Sequence, residues 1–349
     1  MLTNYISMFS FLLSLAGIGF LITIHELGHF LFCKLFKIPA PKFAIGIGPK
    51  LFQKKIGETD FSIGIIPIAG YVQIGEEQQS ESEVGILFKK PFFNGTMVLL
   101  GGIIFNILFA YIAIISTSLL SDKLNNNNYI KMFLPNTIVK TIEIKDDKIK
   151  NIDIQIGDQF LACNDKKMCS KFDLINTILN EPNKNIVIEI LRGNEKKIIT
   201  IEKEIIPTKC ILNFGSKKEL SIFDRLQIGI TTTNNIIAAT FYGILSIFKN
   251  INKISGVLGI LKVGSGAAKD GIIDLIIFLT LVSINLAIAN LIPLPILDGG
   301  QFVMLSMYKI FGKGISDKVY SILMYGSFGL MGLLMLYSTY NDILRFFIH

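Results

Sequence analysis

The residues best suited to chemistry lie near the N-terminus, in the run His25-Glu26-Leu27-Gly28-His29. Side chains four apart on a helix share a face, so both imidazoles can hold one Zn2+ while the intervening glutamate serves as general base. As a bare pattern this pentad is only moderately specific. Its setting sharpens it. The chain has three histidines, and two of them are spent here. They sit late in an apolar run that is uncharged from residue 1 to 24 and continues past His29 to Cys33. Ionisable groups in a membrane-length helix are costly and point to function. A pair of merely structural core histidines beside an unpaired glutamate would waste buried polar groups.

A catalytic zinc takes three protein ligands and keeps one position open. His349 is terminal and isolated, which leaves Asp298 as the candidate third ligand. Asp298 follows Asn290-Leu291-Ile292-Pro293-Leu294-Pro295-Ile296-Leu297 and precedes Gly299-Gly300. The prolines break a helix and free backbone carbonyls. The glycines permit close backbone approach.

Composition names the solvent of these groups. Of 349 residues, 51% are hydrophobic and 17% charged, against about 25% charged in a soluble domain. Mean hydropathy is +0.54. These values exclude a disordered chain, a nucleic-acid-binding arm and an ordinary cytosolic enzyme, and make the lipid bilayer the partner. The net charge of +7 then reads as lysine anchors and a solvated domain rather than a nucleic-acid surface.

Four uncharged runs are long enough to cross a hydrocarbon core: 1–24 with its extension, 91–121, 275–297 and 319–341. The first lacks the positive leader and short apolar core of a cleaved signal peptide and is expected to persist. A fifth uncharged stretch, 226–248, has Thr231-Thr232-Thr233-Asn234-Asn235 at its centre and reads as an amphipathic or interfacial helix. Lysines cluster at 34–55, 89–90 and 309–318. The positive-inside rule therefore puts the 37–90 and 299–318 segments in the cytoplasm and the 122–274 region outside. The first and third spans then run parallel, so that the histidines and Asp298 reach a similar depth on the cytoplasmic side. A fifth span would reverse the third and separate them.

Between the spans, 43–49 and 61–67 alternate like strands around a turn at Lys55-Ile56-Gly57-Glu58, a β-structure able to dip toward the membrane beside the site. The 185–191 run, a turn at Arg192-Gly193-Asn194 and the 198–201 run read as a hairpin, and 172–179 as a short helix. Cys163 and Cys169 can pair if their loop faces an oxidising compartment. The expected organisation is a first membrane segment (1–36), a cytoplasmic β-loop region (37–90), a second membrane segment (91–121), an extramembrane domain (122–210), a linker with an amphipathic helix (211–274), a third membrane segment (275–298), a cytoplasmic loop (299–318) and a fourth membrane segment (319–341).

The two motifs together resemble the site-2 protease family of intramembrane zinc metalloproteases. Phe43-x-x-Gly46-x-Gly48-Pro49, Pro67-Ile68-Ala69-Gly70-Tyr71-Val72, Gly101-Gly102-Ile103-Ile104-Phe105-Asn106 and Ser255-Gly256-Val257-Leu258-Gly259-Ile260 extend the likeness over essentially the whole chain. Ile103 and Val257 stand where the family usually has proline. Ile156-Gly157-Asp158-Gln159-Phe160-Leu161 resembles the turn and strand of a PDZ module. The resemblance implies a polytopic α-helical membrane protein with four transmembrane helices, a membrane-associated β-loop and an extracytoplasmic PDZ-like α/β domain, in a bacterial inner membrane. It implies Zn2+ on His25, His29 and Asp298, Glu26 as the catalytic base, and Asn290, Asn106, Gly70 and Tyr71 on the substrate. That substrate would be the transmembrane segment of a single-span protein such as an anti-sigma factor or remnant signal peptide. A peptide or C-terminus could also dock on the PDZ-like domain.

Overall fold

The computed structural model describes the chain apart from residues 1, 76–82, 121–126, 128–129, 136, 145–152, 169, 203–204, 207–209, 216–219, 248–254, 313–315 and 348–349. In chain order the elements are α1 (Leu2–Leu35), β1 (Lys42–Ile56), β2 (Thr59–Gln73), α2 (Glu83–Phe88), α3 (Phe92–Leu99), α4 (Gly101–Leu120), β3 (Ile138–Ile144), β4 (Gln159–Cys163), β5 (Lys166–Lys167), α5 (Lys171–Asn180), β6 (Asn185–Arg192), β7 (Glu195–Glu202), β8 (Cys210–Gly215), α6 (Ile222–Ile247), α7 (Val257–Asp270), α8 (Ile272–Asn290), α9 (Asp298–Phe311) and α10 (Asp317–Phe347). They form two compact units, Met1–Ile112 with Thr240–His349, and Ala113–Ala239.

Four helices are long and apolar enough to cross a membrane: Ser7–Leu35, Gly101–Leu120, Ile272–Asn290 and Lys318–Arg345. The chain is thus a polytopic helical membrane protein that also carries β-structure. α6 is not among the four, in keeping with the polar centre that sets 226–248 apart. Three boundaries differ from those read in the sequence. The second apolar run is two helices, α3 and α4, meeting at Leu100. The third helix stops at Asn290, not at 298, because Pro293 and Pro295 lack the amide hydrogen and push the residues before them out of α geometry. The chain turns through 291–297, with Leu294 N–H donating to Ile292 and Leu297 N–H to Leu294, each at 2.8 Å. It re-enters a helix at Asp298, so most of the stretch expected as a loop is α9. Inside the expected linker, α7 is a second helix whose Lys262, Lys269 and glycines hid it from a hydropathy reading.

In the first unit, α1 and α4 touch backbone to backbone. A Cβ on Gly101 would lie 2.7 Å from the Gly28 carbonyl oxygen, and one on Gly28 would overlap the Gly101 carbonyl. β1 and β2 form an antiparallel hairpin turning at Gly57 (φ +61°) and Glu58. β2 bends back on itself, so Phe43 stands opposite both Phe61 and Val72. Phe30 of α1 meets the rings of Phe43 and Phe61 edge-on at 5.3 and 5.5 Å, which seats the sheet against the helix. The core here includes Cys33, Ile38, Phe43, Val72, Leu99 and Leu305.

The second unit holds an antiparallel sheet in the order β7-β6-β4-β3-β8, with β5 beside β4. The expected 185–201 hairpin is present, with Arg192 opposite Glu195 across Gly193-Asn194. So is the expected helix, α5, whose start is fixed by a reciprocal capping box between Ser170 and Asp173. Alternate residues Ile186, Ile188 and Ile190 point into a core with Phe160 and Leu174. Arg192 holds Asp158 with two nitrogens, at 2.8 and 2.9 Å, and Asp153 with a third at 2.9 Å. Burial raises the Asp158 carboxyl, but the Arg192 contact and the Gln155 amide outweigh it and leave it below the usual carboxylate range. Burial pushes the Cys163 thiol up to about 11. Its expected partner Cys169 lies outside the described residues.

Candidate metal centre

α1 carries His25 and His29 on one face, and α9 begins at Asp298 directly opposite. His25 Nε2 and His29 Nε2 are 3.3 Å apart. Asp298 Oδ2 lies 3.2 Å from the first and 3.5 Å from the second. All three residues are largely shielded, and Asp298 Oδ2 is buried yet accepts no hydrogen bond. Among the described residues this is the one cluster of three or more His, Cys, Asp or Glu side chains with ligand atoms so close together.

Each ligand is aimed by something behind it. His29 Nδ1 is 2.7 Å from the Val98 carbonyl oxygen. A carbonyl can only accept, so the proton is on Nδ1 and the Nε2 lone pair faces the cluster. His25 lies flat on α4 over Gly102, where a Cβ would stand 2.5 Å from Nδ1 and 2.6 Å from Nε2. Asp298 is delivered by the break after α8. Cβ atoms on Gly299 and Gly300 would overlap the Leu291 and Leu294 carbonyls, so α9 can start against that turn only with glycine at both positions.

Glu26 stands beside the cluster without joining it. Its carboxylate accepts the Val72 amide hydrogen. The last stretch of β2 is packed against it, since a Cβ on Gly70 would be 3.1 Å from Glu26 Cγ. Tyr71, next in that stretch, pairs with Ala44 and is half exposed. Asn290 Nδ2 is 3.4 Å from His25 Nε2, on the side where the ligand atoms converge. Asn106 is on the opposite side: it is fully buried, 3.3 Å from His25 Nδ1. The structure therefore brings all eight predicted residues to one region, with Asn106 behind a ligand rather than at the open face. The Val98 carbonyl was missed, because a backbone acceptor leaves no mark in a sequence. Gly102 was visible only as part of a small-residue pair.

Residues 13–334 match the model of peptidase family M50. The chain belongs to peptidase family M50. It is 29% identical over 348 residues to a protein of Fusobacterium nucleatum named as a candidate zinc metalloprotease, covering 97% of this chain and 99% of that one. A Clostridium perfringens protein of the same description is 29% identical over 340 residues, covering 95% and 97%. The regulator of sigma-W protease RasP of Bacillus subtilis is 25% identical over 420 residues, covering 95% and 97%. Membership makes this M50 chain a metalloprotease and agrees with the site-2 protease likeness of its motifs. With its four candidate spans it is a multi-pass membrane protein.

Proposed function

We propose that this M50 chain is an intramembrane zinc endopeptidase that cuts a peptide bond within or near the transmembrane segment of single-span membrane proteins. The observation that carries the reading is the ligand triangle. Its edges of 3.3, 3.2 and 3.5 Å match the separation of about 3.3–3.4 Å between ligand atoms in tetrahedral zinc sites with bonds of about 2.0–2.1 Å. The donor set of two imidazoles and one carboxylate suits zinc, and the unpartnered Asp298 oxygen asks for a cation. His25, His29 and Asp298 would hold Zn2+, which supplies Lewis acidity and an acidified water.

The rest is done by the chain. Glu26 takes a proton from the water that attacks the scissile carbonyl and returns it to the departing amide nitrogen. The Val72 amide holds that carboxylate in place. Asn290 offers its amide to the substrate backbone. A transmembrane helix hides its peptide bonds, so it must unwind before cleavage. The Gly70-Tyr71-Val72 stretch beside Glu26 gives the unwound segment a strand to pair with. The lysine distribution supports a site toward the cytoplasmic face and the β3–β8 unit outside. The Gly157-Asp158 turn, β4 and α5 support a PDZ-like reading of that unit, which would bind a peptide or C-terminus or admit only trimmed substrates. Anti-sigma factors and remnant signal peptides are the substrate class most in keeping with the motifs.

The test is cleavage of a tagged single-span substrate in membranes by the native chain, Glu26→Gln and chelator-treated chain. Cleavage within the span, lost in both controls, is expected. Cleavage that survives Glu26→Gln would sink the mechanism.

A further inference from the structure

We propose that Asn106 is a positioning residue for the metal centre: its side-chain oxygen accepts a hydrogen bond from His25 Nδ1 and so turns Nε2 toward the metal. The inference rests on the ligand assignment above and concerns a residue that its motif alone would place on substrate. Asn106 cannot reach substrate, since it is completely buried in α4 behind the His25 ring. Two buried groups there are mismatched. Asn106 turns Nδ2 to His25 Nδ1 at 3.3 Å, while its Oδ1 is buried and accepts no hydrogen bond. A histidine that ligates through Nε2 carries its proton on Nδ1, which then needs an acceptor. Half a turn of the amide meets both needs at once, because Oδ1 then faces Nδ1–H.

The backbone that carries this side chain is anchored from a second helix. The Ser283 hydroxyl of α8 donates to the Asn106 backbone carbonyl at 3.0 Å, so the residue that aims a ligand on α1 is itself fixed from the third membrane helix. The two histidines are thus aimed in parallel but by different means. His29 relies on the Val98 carbonyl, which no substitution removes. His25 relies on a side chain, which can be tested.

The experiment measures zinc affinity of the full chain in detergent by chelator competition, for the native protein, Asn106→Leu, Asn106→Asp and His25→Ala. Loss of an outer partner of a ligating histidine weakens metal binding by about 10–100-fold, so that loss is expected for Asn106→Leu. Asn106→Asp, which has only acceptor oxygens, should bind within a few-fold of native. A purely structural role would not be rescued this way. Should Asn106→Leu fail to fold, Asn106→Ala reads the same loss. Native affinity in the leucine or alanine variant, or a loss in Asn106→Asp as deep as theirs, overturns the inference while His25→Ala still loses zinc. Native affinity in His25→Ala overturns the metal centre itself.

Discussion

Gly102→Ala puts a methyl group where the His25 ring lies. The new Cβ would stand 2.5 Å from Nδ1 and 2.6 Å from Nε2, whereas carbon contacts settle near 3.5–4.0 Å. The imidazole must therefore retreat by about 1 Å. It cannot do so and still ligate, because metal–ligand distances tolerate only about 0.2 Å. For α4 to back away instead, it would have to give up its close backbone contact with α1 at Gly28 and Gly101. Zinc affinity should fall at least as far as on loss of an outer-shell partner, about 10–100-fold. Cleavage should fall by about 100-fold, the cost of a 1 Å misplacement. Intrinsic helix propensity favours alanine by about 1 kcal/mol, so a weaker helix would not explain the loss. Chelator competition and cleavage of a single-span substrate read both effects. Gly329→Ala is the control, as a Cβ there meets nothing within 4 Å. If Gly102→Ala binds zinc within twofold of native and cleaves normally, the ring does not ligate from this position and the geometric argument fails.

Other perturbations separate the remaining parts of the structure. Tyr71→Pro removes a backbone donor from the stretch beside Glu26 and should cut cleavage while leaving zinc bound; normal cleavage would exclude strand addition there. Asp342 of α10 is buried and accepts the Gly259 amide at 2.7 Å near the start of α7. Asp342→Ala leaves that amide unpartnered, at a cost of about 1–3 kcal/mol, and should lower the denaturation midpoint in detergent; an unchanged midpoint would show that the contact contributes nothing. Asp158 titrates below its ordinary value when folded, so its contribution to stability is present above about pH 4 and fades as pH falls through the folded value. Asp158→Asn should therefore flatten the loss of melting temperature on acidification, and an unchanged slope would refute the Arg192 pairing as its source.

What could be read from the sequence was the part written in side chains at short spacing. His25, Glu26 and His29 need only helical periodicity to share a face. The Gly57 turn, the 185–201 hairpin and α5 follow from local turn and capping chemistry. Asp298 could be found because its prolines and glycines mark a break. The exact ends of helices were less legible. The 91–121 run is uniformly apolar, and nothing in it announces the split at Leu100. α7 mixes lysine and glycine with apolar residues and looks like a linker until it packs. The aiming of the ligands was hidden for a different reason. The Val98 carbonyl and the Asn106 amide reach α1 from 69 and 81 residues away, and only the close approach of Gly28 to Gly101 brings them there.

The turn at 291–297 has a consequence for hydrolysis itself. Non-helical backbone at membrane depth persists only when it is buried in protein or bathed in water. These residues are not buried; Leu291 and Pro293 are exposed and the rest of the turn is partly so. Yet the turn begins beside His25, through Asn290, and His25 lies about 15 Å along α1 from the end of that helix. The Ile292, Leu294 and Leu297 carbonyls are satisfied by backbone amides, and at such a depth the remaining carbonyls of the turn would need water. Under the intramembrane function proposed above, the exposed segment that delivers Asp298 would also be the wet path to it, and the reactant that a protease in lipid has most difficulty obtaining would arrive along the same seven residues.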